Sequence, residues 1–318
     1  MQVHPDIAAL RSDRAPQRQA QIGMQDARDG WSAEPGVAQM QEELKAYGRG
    51  APLEACPVLE SVFTRAGEAE RLMDLLASHY CRAIAANPIG HPQFRNGFDG
   101  ASTSILLAQT GRAQVMLQAR EPGAGKTESY NFCDATRFDS VLAGEAHARI
   151  VRNAAPQRDR AQLNDEKLVL RPGNRLALDL NHEALVIDKA EKRTVILRLM
   201  RTSEDPRPAR EYDAVDGRLI HQSSGKIATS RREAIVALLG RMGREDAAPV
   251  IAQIACDEGD LSLRWQAVRE ALALDTEAGF RALVTIARRA EDPLAQQAGA
   301  LRATLLETYP QLGKVETE

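Results

Sequence analysis

Apolar positions along the chain change their spacing three times. Over the first 55 residues, large apolar side chains are sparse among Gln, Arg, Ala and Gly. Short helices are predicted at Asp6–Arg11 and Val37–Tyr47, linked by Gly and Pro, so residues 1–57 read as a loosely packed helical arm. From 58 to 86, Leu59, Val62 and Phe63, then Leu72, Leu75, Leu76 and His79, recur at three- and four-residue steps, the period of a helix with one buried face. Asn87-Pro88-Ile89-Gly90 breaks that pattern, and residues 58–94 read as helices leading into the next region.

Residues 95–227 carry strand signals. Ser104–Leu107 and Gln114–Leu117 are short apolar runs around Thr110-Gly111-Arg112, a predicted hairpin. Phe138–Leu142, His147–Val151, Lys167–Leu170, Leu176–Leu178, Ala184–Ile187 and Thr194–Met200 follow, separated by Gly and Pro turns. Short strands with no long helix between them predict an antiparallel sandwich or barrel.

Residues 228–318 are helical and repetitive. Ser230 and Glu233 form a capping box, predicting a helix start, with Ala234, Ile235, Leu238, Leu239 and Met242 on one apolar face. A second helix holds Val250, Ile251, Ile254 and Ala255. Ala267, Val268, Ala271 and Leu272 repeat the first, and Leu283, Val284, Ile286 and Ala287 the second. Asp292-Pro293, an N-cap before a first-turn proline, opens a third copy with Ala298, Leu301 and Leu305. Helix pairs at a period of about 30–33 residues are the signature of a solenoid. Trp265, one of two tryptophans, reads as a packing anchor.

Composition narrows the classes. Lys and Arg number 41 against 44 Asp and Glu, a net charge of -3, so no global field draws the chain onto nucleic acid. No apolar run reaches the roughly 18 residues of a membrane span, and Met1–Ala20 lacks the apolar core of a signal peptide. Cys56, Cys81, Cys133 and Cys256 are scattered without a CxxC pair, as in a reducing compartment, and a cytoplasmic protein is expected.

Two stretches invite chemistry. Gly123-Ala124-Gly125-Lys126-Thr127 looks like the end of a P-loop, but Arg120 stands where its first glycine belongs, and Glu128–Phe132 reads as strand where a helix should begin. A turn between strands is the expectation. Read from Gly125 instead, five residues lead to Asn131-x-Cys133, three more to Arg137 and six more to Gly144. Pro172-Gly173, the strand Leu176–Leu178 and His182 follow, and later Tyr212-Asp213-Ala214-Val215-Asp216-Gly217. In spacing and layout, residues 95–227 resemble the RmlC-like cupins, and among them the cysteine dioxygenase-like group, whose first motif has His-x-His and Glu at these positions. The resemblance implies a cupin-like antiparallel β-barrel, a double-stranded β-helix, with a degenerate metal motif. The helical tail resembles HEAT-type repeats.

Family metal sites use imidazoles and carboxylates, and here Asn131 is a weak donor and Arg137 a permanent cation. A metal-free barrel is therefore expected, the alternative being iron held by Cys133 and His182 with a further carboxylate. A guanidinium projecting inward at 137 would need an internal acid or an anionic ligand, with Asn131, Cys133 and His182 lining the same pocket. The alternatives are Arg137 in a surface ion pair and His182 as a core histidine. The fold expected is thus α+β: N-terminal helices, a cupin-like barrel over 95–227 and a HEAT-like α-solenoid over 228–318. The function expected is non-catalytic, the barrel binding a small anionic molecule and the repeats docking a protein partner; the runner-up is a thiol-dioxygenase-like oxygenase. A homodimer stays open. Two and a half repeats without a polar cap are few for independent stability. A fragment beginning near Thr229 should therefore be molten, and a cooperative unfolding transition from it would refute this.

Overall fold

The computed structural model describes residues 5, 8, 13–154 and 159–315. Apart from Ala8, the helix predicted at Asp6–Arg11 lies outside them, as does His4. The chain divides into two compact units: residues up to 204 with 212–219, and residues 205–211 with 220–318.

Among the described residues the first unit has four α-helices ahead of its strands: α1 (Ala15–Ala33), α2 (Pro35–Arg49), α3 (Pro57–Thr64) and α4 (Glu68–Ala86). Each of the first three has proline in its first turn, where the missing N–H costs nothing. The expected loosely packed arm is a correction. Met24, Trp31, Val37, Met40, Leu44 and Tyr47 are buried, in one core with Leu59, Phe63, Leu72 and Tyr80. The expectation weighed how few large apolar residues there are rather than their phase. Met24, Ala27 and Trp31, then Val37, Met40, Leu44 and Tyr47, keep three- and four-residue steps, which suffices for a buried stripe.

Eleven strands are assigned among the described residues: β1 (Arg95–Phe98), β2 (Ser102–Thr110), β3 (Ala113–Arg120), β4 (Gly123–Ala124), β5 (Ser129–Phe132), β6 (Ala135–Asn153), β7 (Leu163–Leu170), β8 (Arg175–Asp179), β9 (Glu183–Thr202), β10 (Ala209–Asp213) and β11 (Leu219–Ser223). The main sheet is antiparallel in the order β1-β2-β3-β9-β6-β7, with β8 on β6 and β4 on β9. Phe138–Leu142 and His147–Val151, predicted as two strands, are one, and so are Ala184–Ile187 and Thr194–Met200. The predicted break at Gly144 is a bulge: its φ is +90°, a Cβ there would lie 2.3 Å from the Arg193 carbonyl oxygen, and the β6–β9 register shifts around it. The predicted hairpin at 110–112 joins β2 and β3.

One face of the sheet, through Val115, Leu117, Phe138, Leu197 and Leu199, packs into the helical core. Arg201 lies 3.9 Å over the Tyr47 ring and donates to the Tyr47 and Ala51 carbonyls, tying β9 to the end of α2. The other face carries separate apolar clusters and the candidate site.

Among the described residues the second unit has five α-helices: α5 (Ile227–Arg241), α6 (Ala248–Cys256), α7 (Leu261–Leu274), α8 (Thr276–Arg288) and α9 (Ala295–Thr308). Successive helices pack on Val236, Ile251, Ala267, Val268, Phe280, Leu283 and Ala298, and Trp265 packs against this core. Three predicted details change. α5 begins at Ile227, so Ser230 sits inside it and Glu233 accepts from the Ser224 N–H instead of closing a capping box. Ile235, Leu238 and Met242 are exposed while Val236 is buried, so the apolar residues of α5 occupy two faces. α9 starts after Leu294; Asp292 accepts from the Leu294 N–H and also forms a two-pronged ion pair with the buried Arg264.

Glu43 shows how the helices of the first unit are fastened. Its buried carboxylate accepts from the Val58 and Leu59 N–H groups, both at 2.8 Å, capping α3 from α2. Glu43→Ala should lower the stability of the full chain by about 1–3 kcal/mol, read from urea unfolding of Trp31 fluorescence in a Trp265→Phe background. Glu43→Gln, which keeps an acceptor oxygen, should recover most of the loss.

Candidate functional site

Residues directly opposite in neighbouring strands share a face. Asp139 of β6 faces Arg198 of β9 and Leu176 of β8; Arg198 faces Met116 of β3. One step along, Arg137 faces Met200 and Leu178, and Met200 faces Gln114. All lie on the sheet face turned away from the helices, since the intervening Phe138, Leu197 and Leu199 belong to the helical core.

Here two guanidiniums converge on one carboxylate. Arg137 donates through Nε at 3.0 and 2.9 Å to the two Asp139 oxygens and through Nη2 to Oδ2. Arg198 donates through Nε to Oδ1 at 2.9 Å and through Nη2 to Oδ2 at 3.2 Å. The Asp139 side chain has 0% exposure, Arg137 11% and Arg198 14%. Among the described residues, neither arginine has another hydrogen-bond partner, so both Nη1 groups are unspent. Burial by itself would raise the Asp139 carboxyl; the two guanidiniums overcome it and hold its pKa at about 2. The cluster keeps one net positive charge. Gln114, Met116 and Gln118 are half-buried on the same face beside it.

The four residues singled out by spacing fare differently. Arg137 does project into this cluster, and of the two partners left open for it, an internal acid or an anionic ligand, Asp139 is the internal acid. Cys133 is half-buried beside Ala135, Leu178 and Met200. Burial pushes its thiol up, more than Arg137 pulls it down, so it is a poor source of thiolate. Asn131 is exposed on β5. His182 is exposed in the turn between β8 and β9, with Nε2 2.6 Å from the Asn181 amide, so it is no core histidine. Turns hold it there because Asp179 accepts the His182 N–H and Asn153 donates to the His182 carbonyl.

An iron site does not fit these residues. Among the described residues, no three His, Cys, Asp or Glu side chains converge as a metal ion requires, and the cluster itself is cationic. No reaction step through a metal is derived. Gly123–Thr127 begins as the two-residue strand β4 and runs through coil into β5 rather than into a helix, so it has no helix N-terminus to cradle a phosphate.

A second feature lies on the helical face. A cavity of about 530 Å³ opens between α4 and the sheet, walled by Tyr80, Phe94, Ile105, Leu117, Leu142 and Val195, with Asp74 and His91 among its lining. Tyr80 and Phe94 pack with ring centroids 5.2 Å apart and planes tilted by 52°.

No protein-family model matches the chain. No curated protein matches it either. Among solved structures it is similar to a cupin superfamily protein from Desulfitobacterium hafniense, at 18% identity over 34% of this chain and 83% of that one, with a TM-score of 0.25. An RmlC-like cupin from Shewanella frigidimarina matches at 11% identity over 36% and 87%, with a TM-score of 0.25. A sugar phosphate isomerase from a cupin superfamily, from Silicibacter pomeroyi, matches at 12% over 39% and 78%, with a TM-score of 0.27. No helix among the described residues is long and apolar enough to cross a membrane.

Asp139 gives the acid limb of stability a defined sign. Its folded value lies below its unfolded value of 3.8, so its contribution is present above about pH 4 and is lost as pH falls through about 2. Asp139→Asn should abolish that step in an acid titration of the unfolding midpoint. It should also cost about 3–5 kcal/mol at neutral pH, because two buried guanidiniums lose their counter-charge.

Proposed function

We propose that this protein is a non-catalytic binding or regulatory protein. In this reading its first unit, a cupin-like barrel without a metal ligand set, takes a small anionic molecule. Its second unit, a short HEAT-like solenoid, docks a protein. The observation that carries the anion reading is the charge imbalance at Asp139: two guanidiniums, one carboxylate and two unspent Nη1 groups on a sheet face bearing Gln114 and Gln118. A carboxylate or phosphate would receive charge-assisted hydrogen bonds from both arginines and neutralise the remainder. Arg198 therefore joins Arg137 in the binding role, and Asn131 and His182, exposed elsewhere, leave it.

A second reading has its own support. The cavity of about 530 Å³ between α4 and the sheet has the size and apolar walls of a small-molecule site. It would take a compact apolar ligand, independently of the arginines.

Thermal unfolding separates the two. Inorganic phosphate or succinate at about 100 times its Kd should raise the melting temperature by roughly 5 °C over a chloride control of equal ionic strength. Arg198→Met and Arg137→Met should each abolish that rise, while leaving the unliganded protein as stable or more so, since one arginine still neutralises Asp139. If neither anion gives a rise, or if the rise survives Arg198→Met, the anion reading fails. Stabilisation by 1-naphthol, lost on Ile105→Trp and kept in Arg198→Met, would favour the apolar cavity.

A further inference from the structure

We propose that the outer face of α5 is a docking surface for an acidic amphipathic helix of another protein. The inference rests on the reading of the second unit as a protein-docking module and names its face and partner chemistry. Ile227, Ile235, Leu238 and Met242 are between 55% and 61% exposed. With Arg231, Ala234 and Arg241 they fall on one side of the helix, at the three- and four-residue steps of a helical stripe. Val236 and Glu233, on the opposite side, are the buried residues of α5. The stripe runs the whole helix, about 22 Å at 1.5 Å per residue. Scattered exposed apolar residues are ordinary, but a continuous row of four on one helix face marks an interaction site.

Charge selects the partner. Arg231 and Arg241 lie in the stripe and Arg232 beside it; all three are exposed, and among the described residues none has an ion pair or hydrogen bond. Arg244 is taken by Asp246, and no acidic side chain lies on the outer face of α5 itself. A second copy of this chain would bring like charges together across the interface, whereas glutamates flanking an apolar seam would pair with the arginines. The helical repeat of the stripe matches a helix laid along it, with apolar anchors at i, i+3 or i+4, and i+7.

The test uses the full-length protein and two synthetic amphipathic peptides that share a leucine seam, one flanked by glutamates, the other by lysines. Fluorescence anisotropy should show the glutamate peptide binding at least about tenfold more tightly than the lysine peptide, a difference of about 1.4 kcal/mol. Leu238→Ser with Ile235→Ser should weaken it at least about tenfold at an unchanged melting temperature, because both side chains are already in water. Arg231→Glu with Arg241→Glu should reverse the preference. If glutamate-peptide binding ignores these substitutions, docking lies elsewhere on the unit: this inference falls and the docking reading stands. If neither peptide binds, both fall. A wild-type dimer in light scattering that becomes a monomer with Leu238→Ser would give the face to a second copy and overturn the proposal.

Discussion

A carboxylate without access to water lies in the middle of the main sheet, and the pairing of the two longest strands depends on how its charge is met. Asp139 sits on β6, one of its arginines two residues away on the same strand and the other opposite on β9. Register follows from this. A slip of one residue between β6 and β9 would carry Arg198 to the opposite face, among the helical-core neighbours Leu197 and Leu199, and leave Asp139 with half its donors. An unpaired buried charge costs several kcal/mol, so the alternative register is closed off far more firmly than apolar alternation alone would manage. The triad thus orients the sheet's two faces, one toward the helices and the other toward the candidate site.

Much of this architecture was readable from spacing. Helical steps in 58–86 and 230–305, the 110–112 hairpin and the antiparallel strands all rest on local period, which a sequence displays directly. What failed was non-local. Gly144 reads as a break because glycine interrupts strands; whether it ends β6 or bends it is decided by the partner strand that continues alongside. The N-terminal helices looked loose because their stripes use Ala and Met beside a single Trp. Glu43 and the Arg264–Asp292 pair, each joining residues far apart in sequence, left no local signal at all.

The candidate site divides in the same way. Arg137 and Asp139 stand two apart on a strand and so face the same way, a relation visible in the sequence once the strand is drawn. Arg198 belongs with them only through the β6–β9 register, which no single-sequence pattern supplies. The motif analogy points His182 inward, but the motif's other members are missing, and His182 stands in an exposed turn. α5 carries the related ambiguity for helices. Its apolar residues lie on both sides, so pattern could group Ile235, Leu238 and Met242 but could not say that Val236 faces the core instead.

Neutralising Asp139 requires one guanidinium, and the chain supplies two. The neighbouring positions on the same face, Met116 and Met200, show that apolar side chains fit this layer. A methionine at 198 would leave a balanced Arg137–Asp139 pair, and well-packed apolar replacements of buried ionic groups are commonly neutral or stabilising. Neutralisation alone therefore gives no reason for the second arginine, whose place in the fold is the β6–β9 register; it brings its own desolvation cost and repels the first. Its physical effect is to depress the Asp139 carboxyl further and to leave the cluster with one net positive charge on a largely buried sheet face.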